Sequence, residues 1–466
     1  MTSRFDDTIA APATIPGTGA VAIVRISGAD ALTIVDKVVS LKSGTVSEAS
    51  GYSIHFGSIP DLDDVLVSVF RAPNSYTGED SVEISIHSSE YIASTLMERL
   101  FEAGARAAEP GEFTRRAFLN GKMDLSQAEA VADIISSNAE ASHRVAYSQL
   151  KGGFSKELSA LREQLVELAS LLELELDFSE EDVEFANRGR LQSLLDKIIN
   201  HIEKLSGSFK IGNAIKKGGP VAIAGAANTG KSTLLNALLG EDRAIVSDIA
   251  GTTRDTIEET LTIGGILFRF VDTAGIRHTD ETVERMGIDR TFEAIGRSEI
   301  VLGVLDSSLG PGEILASAEQ LSDASKKAGC RLIFVLNKAD LGLNKNVIIE
   351  NSIVSLVENK EDIISLSAKT GFGLDSLRNR LQSLIKARIG DPEATLVTNL
   401  RHYEALVDAA SALRRARASL ASSLPSDLVA EDLRSALSSL SAITTGGPIT
   451  STDILHTIFS RFCIGK

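Results

Sequence analysis

A glycine-rich loop between an apolar run and an apolar helix pattern carries the residue types that hold phosphate. The stretch Val221–Asn236 reads VAIAGAANTGKSTLLN, and Gly225 is followed at a fixed spacing by Gly230, Lys231 and Ser232. In strand–loop–helix context, the loop N–H groups face an anion, the lysine reaches the β- and γ-phosphates, and the serine hydroxyl can ligate Mg²⁺. The spacing predicts a nucleotide site, and the alternative is a chance match in a glycine-rich turn.

Four further motifs follow this loop in the order that a GTP site needs. GTTRD from Gly251 offers hydroxyls for Mg²⁺, and DTAG from Asp272 offers a carboxylate near the metal and a glycine N–H near the γ-phosphate. NKAD from Asn337 ends in Asp340, whose carboxylate can accept two hydrogen bonds that guanine offers and adenine does not. SAK from Ser367 completes the base pocket. Five motifs in order predict a GTP-binding domain.

The residues predicted to bind GTP lie in these motifs and in the loop before the second one. They are Asn228, Thr229, Gly230, Lys231, Ser232, Thr233, Ser247, Asp248, Ile249, Ala250, Gly251, Thr252, Thr253, Asp272, Thr273, Ala274, Gly275, Asn337, Lys338, Asp340, Ser367, Ala368 and Lys369. Lys231 is also a predicted catalytic residue because its charge lies beside the phosphates.

Asn228 offers a side-chain carbonyl beside the phosphates, where a basic group would otherwise be expected. A monovalent cation held by Asn228 and by backbone carbonyls within Ser247–Thr252 can supply the positive charge that stabilises the transition state. The alternative is that Asn228 only caps the loop. An arginine finger is another source of charge, with Arg254 and Arg277 as the candidates.

Positioning of the attacking water requires a polar side chain in the stretch after Gly275, which contains no glutamine. The acidic candidates are Asp280, Glu281 and Glu284, and spacing alone does not choose among them.

Three kinds of element must position these residues. Beyond a predicted linker at Lys216–Pro220, apolar strands alternate with helical segments up to Ala387, which indicates a doubly wound α/β domain. Before it, an N-terminal region shows alternating strand patterns and helices that indicate an α+β domain. Helical periodicity fills the stretches on either side of the α/β domain. This pattern indicates one helical domain with the α/β domain inserted in it, and two separate helical domains are the alternative.

The individual segments are predicted as follows. Strands are expected at Gly19–Ser27, Tyr52–Ile59, Asp64–Phe70, Ser81–Ile86, Val221–Ala224, Leu267–Val271, Ile300–Leu305, Leu332–Leu336 and Ile363–Leu366; helices at Ala29–Val39, Ser89–Ala103, Leu125–Glu140, Phe154–Asp177, Leu191–Phe209, Leu400–Leu420 and Leu428–Ala442. Seven acidic residues from Glu173 to Glu184 are compatible with either a solvated helix end or a functional role.

The composition is that of an ordinary globular protein, with 43% hydrophobic and 24% charged residues among 466. A net charge of −16 argues against a generally basic nucleic-acid binder and does not exclude a local RNA site. Cys330 and Cys463 lack metal-ligand spacing and predict a reducing compartment without disulfides. MTSRFDD is no secretory leader, and no apolar run reaches membrane-span length. We expect a cytoplasmic protein that contacts no membrane.

Several longer stretches resemble a known family. They are DDTIAAPATIPGTGAVAIVRISG, SYTGED, EPGEFTRRAFLNGKMDLSQAEAVADII, SDIAGTTRD, DTAGIR, VERMGIDR and the closing FCIGK. With these motifs, essentially the whole chain resembles the bacterial tRNA-modification GTPases of the MnmE (TrmE) family.

The resemblance implies a three-part architecture. Residues 1–119 would form a folate-binding and dimerisation domain, 120–217 and 388–466 a discontinuous helical domain, and 218–387 an inserted G domain of the P-loop GTPase type. It also implies a homodimer that hydrolyses GTP with K⁺ stimulation and works on tRNA with an FAD-containing partner, MnmG (GidA). Together they would add an aminomethyl or carboxymethylaminomethyl group at C5 of the wobble uridine, using 5-formyl- or methylene-tetrahydrofolate.

Site residues are also implied by the resemblance. Arg25, Glu83, Lys122 and Lys466 match folate-contacting positions; Asn228, Ser247, Ile249 and Thr252 match K⁺ ligands; Ser232 and Thr253 match Mg²⁺ ligands; Glu284 matches the water-orienting catalytic residue; and Cys463 lies in the C-terminal motif. Arginine and lysine suit the carboxylates of a folate tail, and Glu83 can hydrogen-bond a pterin ring. Cys463 is interpreted either as a residue of the chemistry or as a small buried side chain.

Two departures from the family pattern bear on local geometry. Ala226-Ala227 replaces a basic or polar residue and a proline in the phosphate loop, and Ser88-Ser89 replaces the glycine pair after His87. The resemblance therefore leaves the backbone after His87 undetermined.

Two functional alternatives remain at this point. One is a GTP-switched scaffold whose folate and tRNA sites only position substrates for the flavin partner. The other is a ribosome-assembly GTPase, which should carry a basic RNA-binding appendage; no G-x-x-G loop in a basic setting is evident in the flanking regions.

Overall fold

The chain forms two compact units. The computed structural model describes residues 7–177, 188–240, 259–271, 293–341, 346–389, 395–422 and 426–445, with residues 458, 459, 462 and 465. Unit 1 contains Met1–Ile135, Ser148–Ile199 and Asp408–Lys466, and unit 2 contains Ser136–Tyr147 and Asn200–Val407. Within the described ranges, no helix is long and apolar enough to cross a membrane.

The helices are numbered along the chain. They are α1 (Ala31–Val38), α2 (Glu90–Ala103), α3 (Glu112–Leu119), α4 (Leu125–Ser136), α5 (Glu140–Leu150), α6 (Gly153–Asp177), α7 (Arg188–Gly207), α8 (Phe209–Lys217), α9 (Lys231–Leu239), α10 (Pro311–Ala328), α11 (Asn346–Ile353), α12 (Leu374–Ile389), α13 (Leu400–Ala421) and α14 (Ser426–Thr444).

The strands form one sheet in each unit. Those of unit 1 are β1 (Ile9–Pro12), β2 (Val21–Ser27), β3 (Ser40–Leu41), β4 (Ser53–Ile59), β5 (Asp63–Phe70), β6 (Ser81–His87) and β7 (Arg106–Ala107), in the order β3-β4-β5-β6-β2-β1-β7. Those of unit 2 are β8 (Gly219–Ala224), β9 (Glu259–Ile263), β10 (Ile266–Val271), β11 (Ile300–Asp306), β12 (Arg331–Asn337) and β13 (Ile363–Ser365), in the order β13-β12-β11-β8-β10-β9.

The unit 1 sheet is covered by helices on one face. Strands β2, β4, β5 and β6 pair antiparallel, and their residues alternate between buried and more exposed positions. On the covered face, side chains such as Val67 and Ile84 form a core with Val35 of α1 and Leu96 of α2. The N-terminal α+β domain predicted from the sequence is confirmed.

The other face of this sheet carries exposed apolar side chains towards one end. Phe56 lies opposite Leu66 in the β4–β5 register, and Leu66 lies opposite Ser85 of β6. Ile54 is 70% exposed, Phe56 51% and Leu66 49%. We call Ile54, Phe56 and Leu66 the open-face patch.

The helical part of unit 1 is built on two long helices. Helix α6 buries apolar residues at alternating spacings of four and three, as does α14, and the two helices pack together. These positions are Phe154, Leu158, Leu161, Leu165, Leu168 and Leu172 in α6, and Val429, Leu433, Ala436, Leu440 and Ile443 in α14. This spacing is typical of left-handed helix pairs. The stretches before and after the α/β domain thus meet in one discontinuous helical domain.

The unit 2 sheet is the predicted doubly wound α/β fold. Strands β8, β10, β11, β12 and β13 run parallel, and only β9 pairs antiparallel among the described strands. All seven residues of β11 are buried, because helices cover both faces of a parallel sheet. The phosphate loop, NKAD and SAK, which follow β8, β12 and β13, therefore fall at the carboxyl edge of this sheet.

Unit 2 also contains segments outside 218–387. The backbone N–H of Ala141 in α5 donates to the carbonyl of Gly265, in the turn between β9 and β10. Ser208 Oγ, just before α8, accepts from the N–H of Val397, and Phe209 stacks on Tyr403 with centroids 4.7 Å apart.

The predicted linker Lys216–Pro220 was wrong, because α8 runs to Lys217 and β8 begins at Gly219.

One predicted helix is two helices in the structure. The apolar spacing predicted a single helix over Leu125–Glu140, but α4 ends at Ser136 and α5 begins at Glu140. Ser137 and Asn138 lie at this break. Serine and asparagine side chains compete for backbone hydrogen bonds and favour helix ends.

Candidate functional site

The phosphate loop connects β8 to α9 through left-handed backbone conformations. Gly230 has φ +93° and immediately precedes α9, and Asn228 has φ +61° in the middle of the loop. A Cβ on Gly230 would lie 2.3 Å from Asn337 Nδ2, and one on Gly225 would lie 2.3 Å from the Val304 carbonyl. Both glycines are therefore needed for close backbone approach as well as for conformation.

Lys231 lies against its own loop. Its Nζ donates to the carbonyls of Gly225 at 2.9 Å and Ala226 at 2.7 Å, and burial lowers the pKa of the ammonium. Thr229 is buried and its Oγ1 also donates to the Ala226 carbonyl, at 3.0 Å. Ala226 thus serves as a backbone acceptor, which explains why the loop tolerates alanine at this position.

Asn337 joins two of the predicted motifs through one side chain. Its Nδ2 donates to the Thr229 carbonyl at 2.8 Å, and its Oδ1 accepts from the Ala368 N–H at 3.0 Å. The residue is 3% exposed at the end of β12. Because both ends of the amide are used, the phosphate loop and the SAK loop are held at a fixed separation.

The base-pocket residues surround this amide. Asp340 is exposed on a short 3₁₀ turn, Ala339–Leu341, directly after β12. Ser367 and Ala368 are buried, and the Ser367 N–H donates to the Phe372 carbonyl at 2.9 Å, which closes the loop on itself. An exposed carboxylate beside a rigid loop can accept the N–H groups of a guanine edge.

A further carboxylate, which the sequence did not identify, lies at the same edge. Asp306 ends β11, pairs in register with Asn337, and accepts from Lys338 Nζ at 2.6 Å. Burial would raise its pKa, but hydrogen bonds from Lys338 and Ser308 outweigh this effect and hold the pKa below its usual value. The only sequence signal was an aspartate closing an apolar strand.

Ser232 and Thr233 lie in the first turn of α9, and Lys369 is exposed directly after Ala368.

The other predicted GTP and metal residues lie outside the described residues. These are Ser247, Asp248, Ile249, Ala250, Gly251, Thr252, Thr253, Asp272, Thr273, Ala274, Gly275 and Glu284, and the same holds for Arg254, Arg277, Asp280 and Glu281. They flank β9 and β10, which form a hairpin. Its turn is fixed by α5 and by Gln382 of α12, whose Nε2 donates to the Gly264 carbonyl at 2.9 Å.

In unit 1, Arg25 and Glu83 form a cross-strand pair on the face that carries the open-face patch. The two residues are opposite each other in the β2–β6 register, and Glu83 Oε1 accepts from Arg25 Nε at 2.9 Å and Nη2 at 2.7 Å. The Arg25 guanidinium lies 5.5 Å from the Tyr76 ring centroid and 5.6 Å from that of Phe113. Two aromatic rings therefore hold it in place.

The C-terminal segment reaches the same place. Arg25 Nη1 donates to the Gly465 carbonyl at 3.2 Å. Phe459 and Phe462 pack with Leu125 and Val131 of α4. Lys466, which was predicted for this site, and Cys463 of the C-terminal motif lie outside the described residues.

Lys122 lies beside the SYTGED loop. Its Nζ donates to the Pro73 carbonyl at 2.9 Å, and its stem packs close to Gly78. Tyr76 of this loop is partly buried, and its hydroxyl shares a hydrogen bond with Thr114 at 2.8 Å. Burial raises the pKa of Tyr76. The sequence reasoning missed Tyr76 and Phe113, although both belong to the quoted stretches.

The serines after His87 adopt ordinary backbone conformations. Ser89 is extended, with φ −126° and ψ 134°, and caps α2. Ser88 Oγ donates to the Gly17 carbonyl at 2.7 Å. Glycine is therefore not required here, and the serine side chain adds a link to the loop before β2.

Known proteins match this chain along its length. The family model described as the MnmE helical domain matches residues 125–463, and the model described as the GTP-binding protein TrmE N-terminus matches residues 8–122. The tRNA modification GTPase MnmE of Flavobacterium johnsoniae is 47% identical over 472 residues, which cover 99% of each chain. The corresponding protein of Bacteroides fragilis is 48% identical over 470 residues, with the same coverage.

A solved structure shows only a distant likeness. It is a GTP-binding protein of Sulfolobus solfataricus in complex with GDP, 18% identical, with a TM-score of 0.29, covering 49% of this chain and 67% of that chain. A similarity of this size supports no inference about the site.

Proposed function

This chain belongs to the MnmE family of tRNA modification GTPases, and on that premise we propose how its parts divide the work. Unit 2 binds and hydrolyses GTP. Unit 1 binds a tetrahydrofolate that donates a one-carbon unit. The modification, at C5 of a wobble uridine, is completed with an FAD-containing partner of the MnmG (GidA) type. The tRNA substrate implies a cytoplasmic site of action.

The observation that best supports the nucleotide role is the double hydrogen bond of Asn337. It holds the phosphate loop at Thr229 and the SAK loop at Ala368 at a fixed separation. Asp340 is exposed two residues after Lys338. Phosphate and base contacts of one nucleotide need such a fixed separation. Mg²⁺ bound at Ser232 and Thr253 would neutralise charge on the β- and γ-phosphates.

We propose that K⁺ adds further positive charge beside Asn228. Asn228 is exposed in the loop, and its left-handed conformation fixes the direction in which its side chain leaves the backbone. An amide oxygen, with carbonyls of Ser247, Ile249 and Thr252, gives the neutral oxygen set that suits a monovalent cation. Glu284 would orient the attacking water.

Replacing Na⁺ by K⁺ should raise GTP turnover severalfold, and Asn228→Ala should remove that difference, because the cation loses its side-chain ligand. The GTP turnover of both proteins is measured as steady-state phosphate release in the two salts at matched ionic strength. Asn236→Ala, an exposed asparagine of α9, is the matched control and should keep the K⁺ response. Equal wild-type rates in both salts would refute the cation site.

For the folate site, Arg25 and Glu83 fit the ligand as a pair. Arg25 is engaged by Glu83 and by the Gly465 carbonyl, so its main effect is to orient the carboxylate and the C-terminal segment. Both contacts from Arg25 fall on Glu83 Oε1, and within the described residues Oε2 has no hydrogen-bond partner. A free carboxylate oxygen can accept the N–H groups of a pterin, while Lys122 and Lys466 suit the tail carboxylates.

Glu83→Gln should weaken binding of 5-formyl-tetrahydrofolate by at least about tenfold, because a charged acceptor is lost. Titration calorimetry of the full chain measures this affinity. Glu90→Gln in the first turn of α2 is the control and should leave the affinity within about twofold of wild type. Unchanged binding by Glu83→Gln would show that this carboxylate does not contact the ligand.

The decisive experiment for the whole function is mass analysis of wobble nucleosides. Cells lacking this protein should lack the aminomethyl and carboxymethylaminomethyl uridines, and the wild-type chain should restore them. An unchanged nucleoside profile would contradict the modification role. Such a profile would favour a GTPase switch that associates with RNA without modifying it.

A further inference from the structure

Lys338 is held in an unusual backbone conformation beside the base pocket. Its φ is +62°, in the left-handed region that non-glycine residues seldom occupy. The residue stands between Asn337, which joins the two loops, and the turn that carries Asp340. The left-handed turn therefore sets the direction in which the lysine side chain leaves the end of β12.

The far end of that side chain is fixed by Asp306. Lys338 Nζ donates to Asp306 Oδ2 at 2.6 Å, and the Lys338 side chain remains 33% exposed whereas that of Asp306 is 9% exposed. A lysine pinned at its backbone and at its ammonium presents its four-carbon stem as a flat apolar surface. Without an anchor, a lysine stem loses this order because its rotamer entropy is large.

Asp306 is itself held on its other oxygen. Oδ1 accepts from the Ser308 N–H at 2.9 Å and from Ser308 Oγ at 2.6 Å. The next residue, Ser307, donates its N–H and its Oγ to the Asn337 carbonyl, at 3.0 and 2.7 Å. The end of β11 is thus bound to the end of β12 on both sides of the carboxylate.

We propose that Asp306 is a positioning residue for the guanine nucleotide, acting through Lys338. It holds the lysine stem as one wall of the base pocket, against the face of the ring whose edge is bonded to Asp340. The inference rests on the GTP site proposed above. It adds that a residue outside the five sequence motifs contributes to nucleotide affinity without touching the phosphates.

A double-mutant cycle tests this coupling in the full-length chain. Asp306→Asn should raise the Kd for GDP about tenfold, while Asp306→Asn in a Lys338→Ala background should raise it by less than twofold, because the wall is already lost. Calorimetry with GDP and Mg²⁺ measures all four proteins. Asp323→Asn, an exposed aspartate of α10, is the matched control and should bind like wild type.

Two further readouts separate positioning from general stability. The factor by which Asp306→Asn weakens binding should be the same for GDP and for inosine diphosphate, because the wall contacts the ring and not the N2 amino group. The kcat for GTP at saturation should change by less than twofold, since the phosphate contacts are elsewhere. Ser308→Ala, which removes the hydroxyl bond to Oδ1 but keeps the backbone N–H bond and the ion pair, should raise the Kd by about two- to threefold.

Additive losses in the cycle would overturn the inference, because they would show that Asp306 acts independently of Lys338. Wild-type affinity in both Asp306→Asn and Ser308→Ala would overturn it as well. Absence of GDP binding by the wild-type chain would refute the GTP site itself, which makes the two failures distinguishable.

Discussion

At the scale of single residues, the nucleotide site depends on a buried side-chain amide that is hydrogen-bonded at both ends. Asn337 donates to the Thr229 carbonyl and accepts from the Ala368 N–H, so neither end of its amide can change partner without loss. A buried amide deprived of one partner costs about 1–3 kcal/mol. Asn337 therefore fixes the separation of the two loops, whereas the exposed carboxylate of Asp340 can determine which base is bound.

Asp340→Asn should change which purine is bound. The variant should bind GTP about 100-fold more weakly, because two hydrogen bonds to a charged acceptor are lost. It should gain affinity for xanthosine triphosphate, because an amide can accept from N1–H and donate to the xanthine O2. Competition binding with the two nucleotides measures the switch. Equal losses for both nucleotides would mean that Asp340 does not face the base edge.

The residues of this site were predictable to different degrees. Asn337 and Asp340 lie in a tetrapeptide whose types and order carry the chemistry. Asp306 was missed because an aspartate after an apolar run is also an ordinary strand end. Only the pairing of β11 with β12 places it opposite Asn337 and within reach of Lys338. The register between two strands that are distant in the sequence cannot be derived from the residue pattern of either strand alone.

At the scale of elements, α3 is joined to the N-terminal sheet by a buried ion network. Glu112, 1% exposed at the start of α3, accepts from Arg106 at 2.7 and 3.0 Å and from Arg116 at 3.1 Å. Burial would raise the pKa of Glu112, but hydrogen bonds from Arg106, from the Glu109 N–H and from Arg116 outweigh it and keep the pKa below its usual value.

This network should make unit 1 sensitive to acid. A carboxylate whose pKa is depressed on folding stabilises the protein above its unfolded pKa of 4.5 and loses that contribution as pH falls through the folded value. Glu112→Gln should therefore be less stable by about 3 kcal/mol at pH 7, since Arg116 loses a buried partner. It should also show a weaker decline below pH 4.5. Urea unfolding followed across pH 3–7 measures both effects.

The control for that prediction is Glu109→Gln, whose side chain is largely exposed in its pairing with Arg115. It should change stability by less than about 1 kcal/mol. A Glu112→Gln variant with the wild-type pH dependence would contradict the linkage.

Elements with strong periodicity were predicted well, and short ones were not. Strands such as Ile300–Asp306 and helices such as Gly153–Asp177 follow directly from apolar spacing. Strand β1, Ile9–Pro12, was missed because IAAP has little intrinsic strand preference. It forms because it pairs with β2 on one side and β7 on the other.

At the scale of the whole molecule, the open-face patch is an exposed apolar surface on the sheet of unit 1. Ile54, Phe56 and Leu66 are exposed on adjacent strands of one sheet face, and apolar clusters of this kind mark interfaces. The family resemblance implies a homodimer formed through this domain, and we propose that this face contributes to it.

Phe56→Glu should convert the dimer to a monomer, because a carboxylate buried in an apolar interface costs several kcal/mol. Sedimentation at micromolar concentration measures the mass. Tyr91→Glu, at an exposed position of α2, serves as the control and should leave the mass unchanged. A dimeric Phe56→Glu chain would place the interface elsewhere.

The division of the chain between the two units has a consequence for its synthesis. Every segment of unit 2 has been made once Val407 has been translated, whereas unit 1 still lacks Asp408–Lys466 at that moment. At roughly 5–20 residues per second, this last part takes on the order of 3–12 s. At the start of that interval the apolar residues of α6 lack the helix against which they pack, α14, because it has not yet been synthesised. The inserted unit can therefore fold first on the ribosome, and the unit that begins the chain is the last to be completed.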